Sequence, residues 1–166
     1  MTIRRRSPHP CSFAVRGFTR IELMGTLTVA AIMLGVGIPS FKSFVASQKV
    51  KSAAYDLTTS LMIARSEALK RNASVTVAPD TADTWTAGWT VKVGTTTLHQ
   101  QSTMSGVTIT KAASAASIPS NFVYGGSGRL TSAASAQYLQ INGTSSIKCV
   151  KVDSTGIPTT QTVACP

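Results

Sequence analysis

The longest apolar stretch of the sequence runs from Leu23 to Phe41 and contains no charged residue over 19 positions. A helix of that length rises roughly 28 Å, which is close to the hydrocarbon thickness of a bilayer. Glu22 stands directly before this stretch, where a carboxylate is costly unless it has a partner. The pattern predicts a transmembrane helix over residues 18–41 with one acid at its start.

Beyond this stretch the apolar positions recur at alternating spacings of four and three, which is one stripe of a helix. The stripe consists of Val50, Ala54, Leu57, Leu61, Ala64 and Ala68. It predicts an amphipathic helix over residues 42–72 that continues the span, ends near Asn72 and covers a domain. Pro39 should bend the helix because proline removes one backbone donor and clashes with the preceding turn.

After Asn72 the apolar period changes to two, which is typical of strands. The alternating runs lie at residues 74–77, 89–93, 107–110, 121–124, 138–141 and 147–152, with glycine and proline turns between them. Residues 112–120 are small and weakly patterned, and we interpret them as a loop. The predicted fold class is therefore α+β: a long bent N-terminal helix packed on a small antiparallel β-sheet or sandwich over residues 73–166.

Charge and cysteine usage add a leader and a disulfide to this picture. The net charge is +10, and removing residues 1–17 takes away four arginines and leaves +6. This net positive charge allows contact with nucleic acid or anionic lipid but does not require it. Cys11 lies in the basic leader, whereas Cys149 and Cys165 lie beyond the span. A disulfide between these two is the simplest expectation in an oxidising periplasm, and two free cysteines are the alternative.

The residues around the start of the span carry a resemblance to a known cleavage site. The run from Arg16 to Met24, RGFTRIELM, resembles the prepilin peptidase site of type IV pilins and type II secretion pseudopilins. The resemblance implies cleavage after Gly17, N-methylation of Phe18 and a role for Glu22 in subunit assembly. The freed amine of Phe18 would lie four residues before Glu22, on the same helix face. Arg20 departs from the family, which usually has an apolar residue there.

An ordinary signal peptide is the alternative interpretation of this segment. Gly35-Val36-Gly37 fits a small-x-small cleavage pattern, but Arg20 and Glu22 would interrupt the apolar core.

A second run narrows the family. Residues 61–72, LMIARSEALKRN, followed by a strand and Gly88-Trp89, resemble the GspH/FimT family of minor pilins and H-type pseudopilins. The resemblance implies a type IV pilin-like fold in a single-pass inner-membrane protein with a periplasmic domain. Its implied partners are prepilin peptidase, inner-membrane lipid and other pilins or pseudopilins in a filament. The leading function is that of a minor pilin that helps to initiate or cap a type IV pilus.

Two alternatives to that function follow from the same resemblance: a GspH-type pseudopilin of type II secretion and a FimT-type DNA-uptake receptor. Some FimT-type proteins bind DNA through a Gly-Arg-x-Arg motif near the C-terminus. The corresponding turn here, Gly156 to Thr159, has neither arginine. A weak basic patch of Arg129, Lys148 and Lys151 would give only salt-sensitive phosphate contacts. DNA is thus a partner that the sequence allows but does not favour.

The sequence offers no support for catalysis or for a cofactor. His99 is the sole histidine after the leader, and no Ser/His/Asp or paired-carboxylate spacing is present. Asp80 and Asp83 are too few for a calcium cage, and the Gly125–Gly128 segment does not open a helix, as a phosphate loop would. We expect a structural protein without metal or cofactor.

Overall fold

The computed structural model describes residues 17–115, 117–132 and 135–166. The predicted leader, including Cys11 and all residues before Gly17, lies outside the described residues. The chain divides into two units, Met1–Pro39 and Ser40–Pro166. Helix α1, Arg20–Arg71, belongs to both, with Pro39 inside it. Its predicted bend at Pro39 and the predicted domain boundaries at residues 17, 41 and 72 stay predictions.

The second unit begins with the rest of α1, which ends where the sequence indicates. Asn72, directly after the helix, has a φ of 48°, in the left-handed region that commonly closes helices. The predicted stripe is buried at all of its six positions, Val50, Ala54, Leu57, Leu61, Ala64 and Ala68. The helix is amphipathic in this unit because these side chains meet the sheets.

Eight strands follow α1 in the second unit. They are β1 Val75–Pro79, β2 Gly88–Val93, β3 Thr96–Ser102, β4 Thr108–Lys111, β5 Phe122–Tyr124, β6 Gln137–Asn142, β7 Ile147–Val152 and β8 Pro158–Gln161. A 3-10 helix, Trp85–Ala87, precedes β2. The strands form two four-stranded antiparallel sheets, with the orders β3-β2-β1-β5 and β4-β6-β7-β8. The predicted α+β class is therefore confirmed.

Two of these strands, β3 and β8, were not predicted from the sequence. Each is the edge of its sheet, and each has mostly exposed side chains, so neither shows an alternation of apolar and polar positions. The structure thus adds one hairpin partner to β2 and one to β7. The other six strands lie within two residues of their predicted bounds.

One core joins α1 to both sheets within the second unit. Its largest fully buried side chains are Trp85, Trp89, Tyr124, Phe122, Leu57 and Leu61. The Trp85 ring meets the Phe122 ring edge-on, with centroids 5.4 Å apart. Trp89 donates from Nε1 to the buried Ser60 hydroxyl at 2.9 Å, which ties β2 to α1. Burial of aromatic rings with satisfied N–H groups gives the domain its main hydrophobic stabilisation.

Candidate functional site

The predicted cleavage site lies outside regular structure. Gly17, Phe18 and Thr19 precede α1, and the Phe18 side chain is 76% exposed. The Thr19 hydroxyl accepts a hydrogen bond from the Glu22 backbone N–H at 3.3 Å, which is the pattern of an N-terminal helix cap. Gly17 and Phe18 therefore form an accessible segment that ends at a capped helix. Cleavage after Gly17 and methylation of Phe18 stay predictions.

Glu22 lies in the first turn of α1 with its side chain exposed. Across residues 17–115, 117–132 and 135–166, its carboxylate has no hydrogen-bond or ion-pair partner. A negative charge in the first turn is favoured by the helix dipole, but only weakly where water screens it. The Glu22 carboxylate is thus accessible to groups outside this chain, and its role in subunit assembly stays a prediction.

The apolar run of α1 exposes its side chains, and its two threonine hydroxyls are hydrogen-bonded within the helix. Every side chain described between Leu23 and Phe41 is exposed. The hydroxyl of Thr26 donates to the Leu23 carbonyl at 2.9 Å, and that of Thr28 donates to the Met24 carbonyl at 2.6 Å. The run leaves no threonine hydroxyl needing water, so an apolar environment suits it. Among the described residues, α1 is the one helix long and apolar enough to cross a membrane.

The C-terminal end of α1 carries the second sequence signature, and it docks on a glycine loop. Arg65 donates from Nε to the Gly128 carbonyl at 3.0 Å. Glu67 accepts from Lys70 at 3.1 Å and from Arg71 at 2.9 Å, and these hydrogen bonds lower the pKa of Glu67. The signature therefore has a structural purpose in this chain, since it anchors the Gly125–Gly128 loop to the helix.

Glycines allow three segments to converge at this helix end. A Cβ added to Gly126 would lie 2.5 Å from Oδ1 of Asn72, and one added to Gly156 would lie 2.4 Å from the Gly128 carbonyl oxygen. Side chains do not fit at these positions, and the φ of 79° at Gly156 also favours glycine. Tyr124 is buried beside Gly156, and burial raises the pKa of its hydroxyl. The convergence is a packed junction.

The residues of the predicted DNA patch are not brought onto one face. Lys148 and Lys151 both lie on β7, where Lys148 pairs with Ile141 and Lys151 pairs with Tyr138. Side chains three positions apart on a strand project to opposite faces. Lys148 donates to the Thr162 hydroxyl at 2.7 Å, and Arg129 is exposed on the β5–β6 connection.

Asp153 opens the β7–β8 turn, three residues before Gly156, where the segment that corresponds to the arginine motif begins. Asp153 accepts hydrogen bonds from the Thr155 hydroxyl at 2.5 Å and from the Thr155 and Ile157 backbone N–H groups at 2.9 and 3.5 Å. These bonds lower the pKa of Asp153, the Thr155 hydroxyl most strongly. A carboxylate held ionised at this turn opposes phosphate binding.

The predicted disulfide is present. Cys149 in β7 is bonded to Cys165 in the tail, with the two Cα atoms 5.1 Å apart and both residues buried. The bridge belongs to a second, smaller cluster with Ala112, against which Ala115 and Tyr138 pack. Cys165 also donates from its backbone N–H to Oε1 of Gln140 at 3.1 Å. The tail is therefore fixed to the outer face of the second sheet.

Asp80 and Asp83, the acids weighed as a calcium cage, have other surroundings. Asp80 directly follows β1. It accepts hydrogen bonds from the Thr90 hydroxyl on β2 and, at 3.2 Å, from the Gln100 side-chain amide on β3. Asp83 sits in a turn with a φ of 56°. Within the part of the chain that the structure describes, no group of three or more His, Cys, Asp or Glu side chains is arranged to hold a metal ion.

Comparison with known proteins finds one matching family and two solved structures with the same fold. The sequence profile of the family described as "Type II transport protein GspH" matches residues 53–156. Two crystal forms of the type IV minor pilin FimU from Pseudomonas aeruginosa strain PAO1 share the fold. One has a TM-score of 0.60 at 16% identity and covers 71% of this chain and 92% of FimU. The other has a TM-score of 0.57 at 17% identity and covers 67% and 91%. No curated protein matches the chain.

Proposed function

This chain belongs to the GspH family of pilin-like structural subunits, and we propose that it is a minor pilin that helps to initiate or cap assembly of a type IV pilus. One observation carries the proposal. The start of α1 combines an uncharged run from Leu23 to Phe41 whose described side chains are exposed, a Glu22 without a partner among the described residues, and an accessible Gly17-Phe18 bond. The agreement in fold with FimU, a type IV minor pilin, supports the choice of the pilus.

The proposed sequence of events begins in the inner membrane. The basic leader stays on the cytoplasmic side while residues 73–166 fold in the periplasm. Prepilin peptidase then cuts after Gly17, and the new N-terminal amine of Phe18 is methylated. When the subunit leaves the bilayer, its apolar helix passes from lipid to the helices of neighbouring subunits. The exposed side chains of the run thereby exchange one apolar environment for another at little cost in free energy.

Glu22 supplies specificity in this scheme. A carboxylate transferred into an apolar helix bundle is costly unless a cation accompanies it. The Phe18 amine carries that charge and exists as a free group only after cleavage at Gly17. The amine of the same chain lies near enough to neutralise Glu22, and pairing with the amine of a neighbouring subunit would fix the axial register of the subunit. Assembly is thereby restricted to processed chains.

The first experiment is mass spectrometry of the chain from membranes of its native host. The proposal requires an N-terminus at Phe18 carrying one methyl group. A chain that starts at Met1 or at Ile38 would contradict it.

The second experiment compares two acids on α1. In Glu22→Gln, the paired charge is lost, and we expect recovery in the sheared filament fraction to fall by about tenfold or more, the magnitude of a lost buried ion pair. The matched control is Glu67→Gln, since Glu67 bonds only to Lys70 and Arg71 on its own helix. Equal recovery of both variants would contradict the assembly role of Glu22.

A GspH-type pseudopilin of the type II secretion system is the second candidate, because the matching family is described as a type II transport protein. Deletion of the gene separates the two. Loss of surface filaments with normal secretion supports the pilus, and loss of exported proteins with normal filaments supports secretion.

DNA uptake is a third candidate that the geometry does not favour, since Asp153 lies three residues before the turn at Gly156 and Lys148 and Lys151 lie on opposite faces of β7. Titration of the purified chain with duplex DNA over a salt series tests it. Binding that weakens steeply with salt would restore this candidate.

A further inference from the structure

A groove lies in the second unit at the residues that follow the apolar run. It encloses about 360 Å³ between the start of this unit's α1 segment and two connections, represented by Gly106 before β4 and Thr144 between β6 and β7. We propose that this groove binds a phospholipid with an anionic headgroup at the periplasmic surface of the membrane. The inference rests on the proposed membrane anchoring of α1.

The floor of the groove is apolar. Phe41, Val45 and Ala46 supply it, and Phe41 is 66% exposed although it is a large aromatic side chain. Phe44, next to the groove residues, is 57% exposed. Neighbouring exposed rings of this kind are unusual in water, and their place in the chain explains them. Phe41 is the last residue of the uncharged run, so the groove begins where the chain leaves the hydrocarbon region.

The rim of the groove is cationic. Lys42 and Lys49 lie seven positions apart, which places them on the same helix face with Val45 and Ala46 between them. Lys42 is the first charged residue after the run, and no acidic residue lines the groove. Long lysine side chains at a membrane edge keep their stems in the apolar layer and their ammonium groups at the headgroups. The pattern of cations above an apolar floor complements an anionic phospholipid.

The loop opposite the lysines keeps the groove open. Gly106 has a φ of 78°, and a Cβ there would lie 3.3 Å from Nζ of Lys49. Any larger residue would therefore be strained and would crowd the ammonium group. Across the groove, the Ser145 hydroxyl donates to the Ser43 carbonyl at 3.3 Å, which fixes the β6–β7 connection beside α1. The groove is thus a feature of packed elements within one unit.

A lipid fits the groove better than the two other candidate ligands, a free phosphate ester and a second copy of the chain. A free phosphate ester would use the lysines but leave Phe41 and Val45 in water. A second copy of the chain would cover the apolar floor, but would bring Lys42 and Lys49 towards a molecule whose own net charge is +6 once residues 1–17 are removed. A lipid satisfies both the floor and the rim.

The test uses the full chain in nanodiscs that contain equal amounts of phosphatidylglycerol and phosphatidylcholine. Lipids retained on release are counted by native mass spectrometry. We expect the wild type to retain phosphatidylglycerol preferentially, and the K42Q/K49Q variant to lose this enrichment by on the order of tenfold. K51Q/K92Q is the matched control, because it removes the same charge from exposed lysines that do not line the groove. It should keep the enrichment.

Each other outcome overturns the inference. Equal enrichment in the wild type and K42Q/K49Q, or equal loss in both double variants, would show that the groove lysines are not the site. Displacement of the lipid by glycerol phosphate would identify a phosphate site, and a lysine-dependent dimer would identify a second copy. Tryptophan fluorescence confirms that each variant is folded. A wild-type chain that fails to enter nanodiscs contradicts the proposed anchoring, whereas insertion without enrichment contradicts the groove alone.

Discussion

The two parts of α1 differ in the surroundings of their apolar side chains. From Arg20 to Pro39 every described side chain is exposed, and Glu22 has no partner among the residues described. From Ser40 to Arg71 a stripe of six side chains is buried against the strands of the same unit. Both parts are regular helix, so the difference lies in what covers the apolar surface.

Folding and the proposed assembly depend on different parts of α1. Hydrophobic side chains of the second part gain their burial when this one chain folds, whereas those of the first part would gain it, under the proposed function, from lipid or from other subunits. Acids follow the same division, because Asp153 is hydrogen-bonded within its own turn and Glu22 is not. Changes in the second unit should therefore alter the free energy of unfolding, and changes in the first should alter assembly.

The largest expected difference between the two parts of α1 comes from replacing a leucine with alanine in each. Leu57 is fully buried and Leu27 is 61% exposed. Leu57→Ala should lower the free energy of unfolding of the domain by about 2–5 kcal/mol, because it leaves a cavity in the core. Leu27→Ala should change it by less than about 0.5 kcal/mol. Urea titration of the detergent-solubilised chain, followed by the fluorescence of the buried tryptophans, measures both. Comparable losses would show that the first part also belongs to the folding unit.

The next largest expected effect comes from the disulfide of the second unit. The bridge between Cys149 and Cys165 has a sequence separation of 16 and ties the tail to β7. Replacing both cysteines with alanine should lower the free energy of unfolding by about 3 kcal/mol, the chain-entropy value for a loop of this size. Val163→Ala, within the loop and exposed, is the control. The double variant should still enter filaments at a temperature where its domain is folded; loss of filaments there would join assembly to the tail.

The helix and most of the fold followed from hydrophobic periodicity. The stripe from Val50 to Ala68 is buried as its four-and-three spacing predicts, and Asn72 ends the helix. Six strands were identified because one of their faces is buried and their sequences therefore alternate. Strands β3 and β8 were missed because most of their side chains are exposed, and edge strands of this kind gain their regularity from pairing with a neighbour. Their sequences, TTLHQQS and PTTQ, carry no such signal.

Side-chain partners distant in sequence were beyond prediction. Trp89 bonds to Ser60 across 29 residues and Arg65 bonds to Gly128 across 63. Such pairs depend on how α1 lies on the sheets of its own unit. The assembly motif is the opposite case. Gly17, Phe18 and Glu22 form a local sequence signature, since the proposed recognition by a peptidase and by a neighbouring subunit would need only a short segment of chain.

Acid sensitivity gives the smallest expected effect and concerns the two acids. Hydrogen bonds lower the pKa of Asp153 in the folded domain, so its stabilising contribution is present above the unfolded pKa of about 4 and is lost as the pH falls through the folded value. Asp153→Asn should therefore be less stable than the wild type at neutral pH, and the gap between their melting temperatures should narrow at about pH 2.5. Thermal melts at both pH values measure this gap. Glu22→Gln is the control from the first part and should melt like the wild type at neutral pH. A gap for Asp153→Asn that is equally wide at both pH values would show that the Asp153 charge does not stabilise the turn. Asp153 and Glu22 would then differ only in geometry, since Asp153 is hydrogen-bonded within its turn and Glu22 has no partner among the described residues.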